Sequence, residues 1–592
     1  MTKLRGALAL SFTLALVATF VAPATTAQRT GAGNQRRVSL VLWGGKVFTS
    51  DEHYSIAQAV AVDGERIVAV GTNEEIKSRF VGAHTIDLRG RLMTPGFNDA
   101  HLHFLNGGLS LARVDLNGAR TLNEAKRRVA EKLKELPVGA WVLGRGWDHT
   151  LWGGGWPTRQ DLDEVAPSNP VFLQRVDGHT SWANSLALAK ANVTRATRDP
   201  EGGEILRDSK GEPTGILKET AGGLVGRVVP PPTNEEKMRA IERALAEARR
   251  YGITSMSDSI SGYDTLALYR DLLTQGRLTV RVAEWLSMET PVEELKRQRA
   301  EFDALHVDPF RLRISAVKGY VDGTLGSHTA AMLEPFSDDP HNIGIPRMTQ
   351  EELTSKVVEI SNAGFQIALH AIGDKANRMA LVAYEAALKQ NKSANMFAHS
   401  YIYIPPNKFA ESLLRNRIEH AQVVAPSDFG RFRDLGVVAS MQPSHAISDK
   451  RWAPERLGEY RSLGAYSWHT FESYGVHVPF GTDWPIEPIN PYLGLFAAVT
   501  RESTDLQPAG GWLPQERLDI KEAIRCYTAE PAYASFEEQD KGQIKPGMLA
   551  DFVVHTRDLL TIKPEEILRT EAAMTIFDGR VIYEKARSDS TL

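Results

Sequence analysis

A chain of 592 residues is too long for one small hydrophobic core and predicts two or more structural units. Its hydrophobic content of 42% and charged content of 24% are ordinary for a globular protein, and its net charge of −4 without a long basic run argues against a nucleic-acid partner. The chain contains one cysteine, Cys526, which excludes an internal disulfide.

Residues 1–27 have the layout of a secretory signal peptide. Lys3 and Arg5 precede an apolar run from Ala7 to Ala22, and small residues follow it. The run is shorter than the roughly 20 residues that cross a bilayer, so we expect cleavage rather than stable membrane insertion. A lipid anchor would need a cysteine at the cut, and Cys526 lies far from it. The sequence therefore predicts a secreted or periplasmic protein.

Strand-type residues are dense at both ends of the mature chain, and turn pairs such as Gly44-Gly45 and Asp63-Gly64 separate them. The predicted strands are Val38 to Trp43, Lys46 to Thr49, Ala59 to Val62, Arg66 to Val70, Thr85 to Leu88, Ile544 to Val554, Ala573 to Phe577 and Val581 to Tyr583. Two β-rich ends around a long middle predict one small β-sandwich domain built from residues 36–94 and 530–592.

The middle of the chain, residues 95–529, alternates strand-like and helix-like segments, which is typical of parallel βα units. Predicted helices are Leu122 to Leu136, Asn234 to Tyr251, Pro291 to Ala304, Gln350 to Ala363, Lys375 to Lys389 and Ile520 to Thr528. Predicted strands are Arg91 to Phe97, Ile253 to Ser257, Leu278 to Leu286, Leu312 to Val317, Gln366 to Leu369, Asn416 to Ile418, Val437 to Met441 and Val476 to Phe480. About eight strands favour an α/β protein with a (β/α)8 TIM barrel. Residues 141–229, rich in Trp, Gly and Pro, are interpreted as an insertion that forms a lid or pocket wall.

Pro95 to Phe104, with the sequence PGFNDAHLHF, carries the first chemical signal. On an extended backbone His101 and His103 project to the same side, because side chains two residues apart share a face. Neutral imidazole nitrogen is a common ligand of zinc and similar ions. A pair of polar loop histidines explains the same motif, so the choice depends on the rest of the chain.

Four more polar side chains follow apolar runs at predicted strand ends, where the chemistry of such a barrel is located. They are Lys318, His370, His420 and Asp483. Each has an ordinary alternative, such as a helix cap, a hydrogen-bonded histidine or an ion-paired lysine. Four histidines and an aspartate on one rim nevertheless favour a metal site, because unpaired histidines that converge would be unstable.

Several motifs together resemble the amidohydrolase superfamily, over nearly the whole mature chain. PGFNDAHLH and the tail GQIKPGMLAD at residues 542–551 are similar to its opening and closing signatures. Three further stretches resemble the amidohydrolase family 3 branch that contains N-substituted formamide deformylase: VDGHTSWAN at 176–184, VKGYVDGTLGSHTAA at 317–331 and HAIGD at 370–374.

The resemblance implies a two-metal centre, with zinc as the expected ion. It makes His101 and His103 ligands of one metal, places His370 and His420 on the second, and adds Asp483 at the eighth strand. Lys318 would be carboxylated and would bridge the metals, since a protonated lysine has no lone pair. Whether one or two ions bind, and which metal they are, stays open.

The implied function is hydrolysis of a C–N bond in an amide, N-substituted formamide or cyclic amide, through a metal-activated hydroxide with Asp483 as proton shuttle. Ester or lactone hydrolysis, or deamination, on the same scaffold is the alternative, and a non-catalytic periplasmic binding protein is a weaker one. The chain has no Gly-x-Ser-x-Gly elbow and no His-Glu-x-x-His helix.

Candidate substrate-binding residues lie after predicted strands or in the insertion, although packing explains each of them equally well. They are Trp147, Asp148, His179, Trp182, Asp322, His328, His445 and Trp484. Their aromatic character suggests a small-molecule substrate with an aromatic or hydrophobic group. The substrate itself and the oligomeric state, including a homo-oligomer, stay open.

Overall fold

The computed structural model describes residues 35–153, 155–175, 180–395 and 414–586. The signal peptide prediction and His179 lie outside these residues. No helix in the described ranges is both long enough and apolar enough to cross a membrane.

Two sheets built from both ends of the chain form a small β domain. The first has four strands in the order Arg66–Gly71, Ala59–Asp63, Arg36–Trp43 and Phe80–Asp87. The second has six in the order Arg580–Glu584, Ala572–Phe577, Phe552–His555, Leu92–Pro95, Lys46–Phe48 and Ile56–Ala57. Leu40 and Leu42 share a buried cluster with Phe552 and Ile576, so one core joins the two sheets. The helix Asn73–Arg79 follows Thr72, whose side chain caps its first turn.

The C-terminal part of this domain begins later than expected. The expected boundary at residue 530 falls inside the helix Ala529–Ala534, which packs against the first barrel strand. The first strand from the C-terminal part is Phe552–His555, which pairs antiparallel with Leu92–Pro95.

The central sheet of seven parallel strands confirms the predicted α/β barrel. In sheet order its strands are Phe97–Leu102, Ile253–Ser259, Arg281–Ser287, Leu312–Tyr320, Gln366–Ala371, Arg417–His420 and Val438–Ser440. Residues 478–483 occupy the eighth position. The N–H of Gly481 donates to the carbonyl of Met441 at 3.0 Å, and the N–H of Asp483 donates to the carbonyl of His101 at 2.7 Å. The sheet therefore closes on itself through this eighth segment.

The first barrel strand differs from the prediction of Arg91 to Phe97. Hydrogen bonding changes partners at Gly96, whose N–H donates to the carbonyl of Asp551, while the N–H of Phe97 donates to the carbonyl of Gly252. Leu92–Pro95 therefore belongs to the small domain, and the barrel strand runs from Phe97 to Leu102. The segment from Leu92 to Phe97 is mostly apolar, so the sequence pattern does not show where the chain passes from one sheet to the other.

Helices surround the barrel and fill the connections between its strands. They are Phe104–Leu111, Asn234–Arg250, Tyr263–Thr274, Val292–Asp303, Gln350–Asn362, Asp374–Asn395, Phe429–Leu435, Pro443–Asp449, Ala453–Ser462, Trp468–Ser473, Pro491–Thr500, Ile520–Cys526 and Ala529–Ala534, with 3-10 turns at Pro514–Glu516 and Pro564–Arg569.

The helix Asn234–Arg250 shows how sequence fixes these elements. Thr233 and Glu236 form a capping box at its start, and buried residues recur at the spacing of one helical face from Ala240 to Ala248. A side chain at Gly108 would lie 2.1 Å from the carbonyl oxygen of Ala240. Glycine there lets the helix after His103 pack closely against this one.

The insertion is larger than the expected residues 141–229. It forms a six-stranded sheet in the order Gly203–Arg207, Pro213–Glu219, Thr180–Ala183, Val171–Arg175, Val142–Trp147 and Val114–Asp115. Its helices are Leu122–Leu133, Arg159–Asp163, Ser185–Lys190 and Gly222–Gly226, with a 3-10 turn at His149–Trp152. The sheet has its own buried cores. The insertion begins at Val114–Asp115, before the predicted start at residue 141. A strand of two residues is too short to show periodicity, so the sequence pattern does not reveal this earlier start.

Candidate metal centre

The barrel brings all six predicted ligand residues to one cavity of about 520 Å³. His101 ends the first strand, and His103 follows it directly. The others lie on the fourth, fifth, sixth and eighth strand positions: Lys318, His370, His420 and Asp483. All of them belong to the carboxyl ends of the strands, as the barrel geometry requires.

The carboxylate of Asp483 lies at the centre of this cluster. Its Oδ1 lies 3.4 Å from Nε2 of His101 and 3.3 Å from Nε2 of His103. Its Oδ2 lies 3.5 Å from Nε2 of His445. Ligand atoms of His101, His420 and Asp483 all lie within 4.8 Å of one another. One carboxylate and several imidazoles thus converge on a small volume.

The four histidines each donate the N–H of one ring nitrogen to an oxygen of the protein, which leaves the other nitrogen with its lone pair facing the cavity. The pairs are His101 Nδ1 with Glu419 Oε2 at 2.7 Å, His103 Nδ1 with the carbonyl of Ser259 at 2.8 Å, His370 Nε2 with the carbonyl of Gly323 at 2.9 Å, and His420 Nδ1 with Gln442 Oε1 at 2.7 Å. Burial lowers the pKa of His370 to about 3, and the charge of Lys318 adds to this. Burial also lowers the pKa of His420. Both rings are therefore neutral and able to coordinate.

Glu419 and Arg417 form a completely buried ion pair behind His101. Arg417 Nε donates to Glu419 Oε1 at 2.8 Å, and its guanidinium also donates to the carbonyl of Ala100 at 2.8 Å and to Ser440 Oγ at 2.9 Å. Burial alone would raise the pKa of Glu419, but Arg417 and the N–H of His101 hold it at about 2. Glu419 is thus a permanent anion that fixes the His101 ring.

Lys318 lies in the same buried volume without a hydrogen-bond partner for its Nζ among the described residues. Burial lowers its pKa to about 8, although Glu419 and Asp483 oppose the shift. The amine is 5.2 Å from the ring centre of Tyr320 and 6.0 Å from that of Trp285. A substantial neutral fraction is therefore available near pH 8.

The cluster fits a divalent metal ion. Nε2 of His101 and Oδ1 of Asp483 are buried, face each other and have no hydrogen-bond partner in the described part of the chain. Two acceptors at this distance repel each other unless a cation or a proton lies between them. Imidazole nitrogen and carboxylate oxygen are the donors that zinc-like ions prefer.

Among the predicted substrate-binding residues, His445 lines the cavity, and its ring stacks on that of His420 with centres 5.6 Å apart. Two predicted aromatic residues lie in the core of the insertion instead. Trp147 Nε1 donates to the carbonyl of Leu173, and Trp182 Nε1 donates to the carbonyl of Thr158. Their burial comes from packing within the insertion, not from the catalytic cavity.

Asp148 and Trp484 also have structural roles. Asp148 pairs with Arg175 at 2.9 Å and caps the turn that follows it. Trp484 packs edge-on against Phe104 and is close to Gly107, where a side chain would collide with its ring. Neither lines the cavity.

Asp322 and His328 lie behind the cavity wall rather than on it. The carboxylate of Asp322 accepts the backbone N–H groups of Ala331, Ile372 and Gly373, and so ties the loops after the fourth and fifth strands together. His328 Nε2 lies 3.1 Å from Asp338. Both residues are predicted to bind substrate because they follow a predicted strand. That position does not distinguish a residue that holds two loops together from one that lines the cavity.

The cavity lining also includes residues that sequence reasoning missed. They are Arg145, Tyr320, Thr324, Leu325, Gly326, Ile372, Gln422, Ser448, Asp449, Arg451, Trp452, Ile486 and Glu487. Most lie in the connections that follow the fourth, seventh and eighth strand positions. That position was the available signal, but it selects whole loops rather than single side chains.

Comparison with known proteins decides the family, since the amidohydrolase family model matches residues 84–583. The chain is an amidohydrolase. It is 34% identical over 530 residues to Protein LONG AFTER FAR-RED 3 of Arabidopsis thaliana, covering 87% of this chain and 86% of that protein. It is 29% identical over 565 residues to the N-substituted formamide deformylase of Arthrobacter pascens, covering 93% and 99%.

A solved structure of an uncharacterized metal-dependent hydrolase from Pyrococcus horikoshii superimposes with a TM-score of 0.71 at 29% identity, covering 89% of this chain and 99% of that one. The amidohydrolase described here is accordingly an enzyme that hydrolyses C–N bonds, and its buried histidine and aspartate cluster is suited to a divalent metal.

Proposed function

We propose that this amidohydrolase is a zinc-dependent enzyme that hydrolyses N-substituted formamides or related small amides. The observation that carries the proposal is the buried Asp483 carboxylate between the inward nitrogens of His101, His103 and His445. The likeness to a formamide deformylase over nearly the full length of both chains supports the substrate class.

The ligands would be His101 and His103 on one side, His370 and His420 on the other, and Asp483 between the two pairs. Zinc held there would lower the pKa of a water molecule toward neutrality and would polarise the substrate carbonyl. Every donor in this set is nitrogen or oxygen, which suits zinc.

Lys318 completes the centre as a carbamate. Its neutral amine nitrogen attacks the carbon of carbon dioxide, one N–C bond forms, and one proton leaves. The product carries a negative charge on two oxygens. The burial that lowers the pKa of Lys318 to about 8 favours this reaction because only the neutral amine is nucleophilic. The carbamate also replaces a buried, unpartnered cation with an anionic ligand.

Asp483 accepts a proton on its carboxylate as the nucleophile attacks and returns it to the leaving nitrogen of the amide. Burial raises the pKa of Asp483, but the facing His101 and His103 rings outweigh burial and hold this pKa well below its usual range, so the carboxylate begins the cycle ionised. Nε2 of His445 lies next to Asp483 without a hydrogen-bond partner among the described residues, and it is placed to donate to the carbonyl oxygen as negative charge develops there. Tyr320, Trp452 and Ile486 line the cavity and exclude water around the substrate.

Release of formate from an N-substituted formamide tests the proposal. The zinc-loaded enzyme should release formate from N-benzylformamide, and dialysis against a chelator should abolish the release until zinc returns. A matched panel of an acetamide, a cyclic amide, an ester and a lactone defines the range. Turnover of the ester and lactone without any amide would overturn the proposal.

We also propose that the protein is exported, on the basis of the charged and apolar pattern of residues 1–27. Mass spectrometry of protein from the native host should give a first residue near Thr25 or Gln28. A soluble cytoplasmic form that retains Met1 would overturn export without affecting the chemistry.

A further inference from the structure

The insertion strand Val142–Trp147 contains a β-bulge next to the catalytic cavity. Arg145 is opposite Gln174, whereas Trp147 is opposite Arg175, so Gly146 is the extra residue. Gly146 has φ of 93°, and a side chain there would lie 2.7 Å from the backbone nitrogen of Asn117. Only glycine fits this bend without displacing the neighbouring chain.

The bulge separates the directions of two side chains that a regular strand would place on one face. Trp147 is completely buried in the core of the insertion. Arg145 is exposed and lines the catalytic cavity. The extra residue therefore lets the strand keep its tryptophan in the core and present an arginine to the substrate site.

Arg145 has no ion pair or hydrogen bond of its side chain within the ranges that the structure describes. The two nearest acids by strand pairing and sequence have other partners: Asp115 accepts from Asn117 Nδ2 at 2.7 Å, and Asp148 pairs with Arg175 at 2.9 Å. A second arginine, Arg113, lies close enough that the charge of Arg145 adds to the effect of burial in lowering its pKa. Arg145 thus presents to the cavity a guanidinium that no side chain binds in the described part of the chain.

The connections after the seventh and eighth strand positions contribute charges of both signs to the lining. Arg451 and Glu487 carry opposite charges, and both line the boundary between the catalytic cavity and a neighbouring one. The carboxylate of Asp449 accepts from the hydroxyl of Tyr466 at 2.7 Å and from Gln422 at 3.1 Å. Asp449 and Glu487 thus accompany Arg451 in the lining, whereas Arg145 is the charged residue that the insertion contributes to it.

We infer that Arg145 determines specificity by binding an anionic group of the substrate, a carboxylate on the amine side of the scissile amide. The inference rests on the proposed hydrolysis of N-substituted formamides. A guanidinium offers two parallel N–H donors to a carboxylate, and this geometry distinguishes it from a lysine. The preferred substrate is then an N-formylated amino acid rather than an N-formylated simple amine.

Two formamides that differ by one carboxylate test this inference: N-formyl-L-phenylalanine and N-formyl-2-phenylethylamine. The wild-type zinc enzyme should prefer the first by about five- to tenfold in kcat/KM, the size of a partly exposed charge-assisted hydrogen bond. Arg145→Gln should reduce this ratio to about one, through a loss of kcat/KM for the carboxylate-bearing formamide. Arg145→Lys should retain part of the preference. Arg120→Gln, an exposed arginine of the same insertion outside the cavity lining, is the matched control and should keep the full ratio.

Calorimetric binding of N-acetyl-L-phenylalanine and N-acetyl-2-phenylethylamine gives the same comparison without turnover. If neither formamide is hydrolysed, the proposed function fails. The ratio of the two binding affinities then tests the role of Arg145 by itself. An equal response of wild-type enzyme to the charged and neutral ligands would overturn the inference. A preference that survives Arg145→Gln would also overturn it, because the carboxylate would then bind elsewhere.

Discussion

Glu419 Oε2 lies 2.7 Å from Nδ1 of His101, and both side chains are almost completely buried. The carboxylate fixes which ring nitrogen of His101 carries the proton and therefore which one faces the cavity. Arg417 holds Glu419 in turn, so a buried chain of charges runs from the barrel interior to the metal centre. Such partners orient a ligand and increase its basicity.

Glu419→Gln should lower zinc affinity by about 10–100-fold, because the neutral amide leaves His101 less basic and the buried charge of Arg417 unbalanced. Competition with a fluorescent zinc chelator measures the affinity. Glu530→Gln is the matched control, since Glu530 contacts His477 Nδ1 at the same 2.7 Å but lies outside the cavity lining. Unchanged zinc affinity of Glu419→Gln in a folded protein would contradict this role.

Lys318→Ala should lose metal and activity together, because the variant cannot form the proposed carbamate. Added acetate or formate should restore part of the activity by supplying a carboxylate to the vacated volume. Metal content by elemental analysis and formate release should be measured on one preparation, with the surface variant Lys356→Ala as control. Full metal and full rate in Lys318→Ala would show that the lysine has no part in the centre.

Asp483→Asn should reduce turnover by about 10²–10⁴-fold, since the amide is nearly isosteric but a very poor base. Metal content should fall only partly, because several histidines remain. The carboxylate faces three imidazoles rather than capping the segment after Trp484, so the loss should not come from unfolding. Asp338→Asn, which alters a histidine–aspartate contact away from the cavity, should keep the wild-type rate. Near-normal turnover of Asp483→Asn would end the assignment.

His555 should make the stability of the protein depend on pH. It is buried between Tyr492 and Thr94, and burial lowers its pKa from 6.5 to about 3. The unfolded chain therefore binds a proton that the folded chain does not between these values. The contribution is complete above about pH 6.5 and falls by about 1.4 kcal/mol per pH unit as the pH drops toward 3. His555→Gln keeps one donor and one acceptor but does not titrate.

Thermal unfolding at several pH values from 4 to 8 measures this effect. The melting temperature of wild-type protein should fall more steeply below pH 6.5 than that of His555→Gln. Parallel curves for the two proteins would show that His555 does not carry the dependence.

The sequence predicted the barrel and the convergence of His101, His103, Lys318, His370, His420 and Asp483, because strand ends and ligand chemistry are both visible in it. It did not reveal Glu419, although this residue directly precedes His420. Both faces of a barrel strand are buried, so alternation of apolar and polar residues cannot distinguish a residue directed at the barrel interior from any other buried one.

Trp147 and Arg145 show a second reason for error. Its place in the insertion made Trp147 a pocket candidate, but the extra residue at Gly146 lets Arg145 line the cavity while Trp147 packs in the core of the insertion. Bulges depend on contacts with neighbouring strands, here with Asn117, that no local pattern reports. Asp322 and His328 are predicted to bind substrate, but Asp322 accepts backbone N–H groups from two loops and His328 contacts Asp338, partners that no local pattern reports.

The pairing of Leu92–Pro95 with Phe552–His555 constrains the order in which the molecule is completed. The ribosome synthesises Phe552–His555 hundreds of residues after Leu92–Pro95. The edge of Leu92–Pro95 therefore lacks its antiparallel partner while the barrel is synthesised. Truncation before residue 552 would leave that edge, and the apolar cluster around Leu40 and Val62, open to aggregation. The nascent chain therefore exposes this strand edge until its last strands emerge.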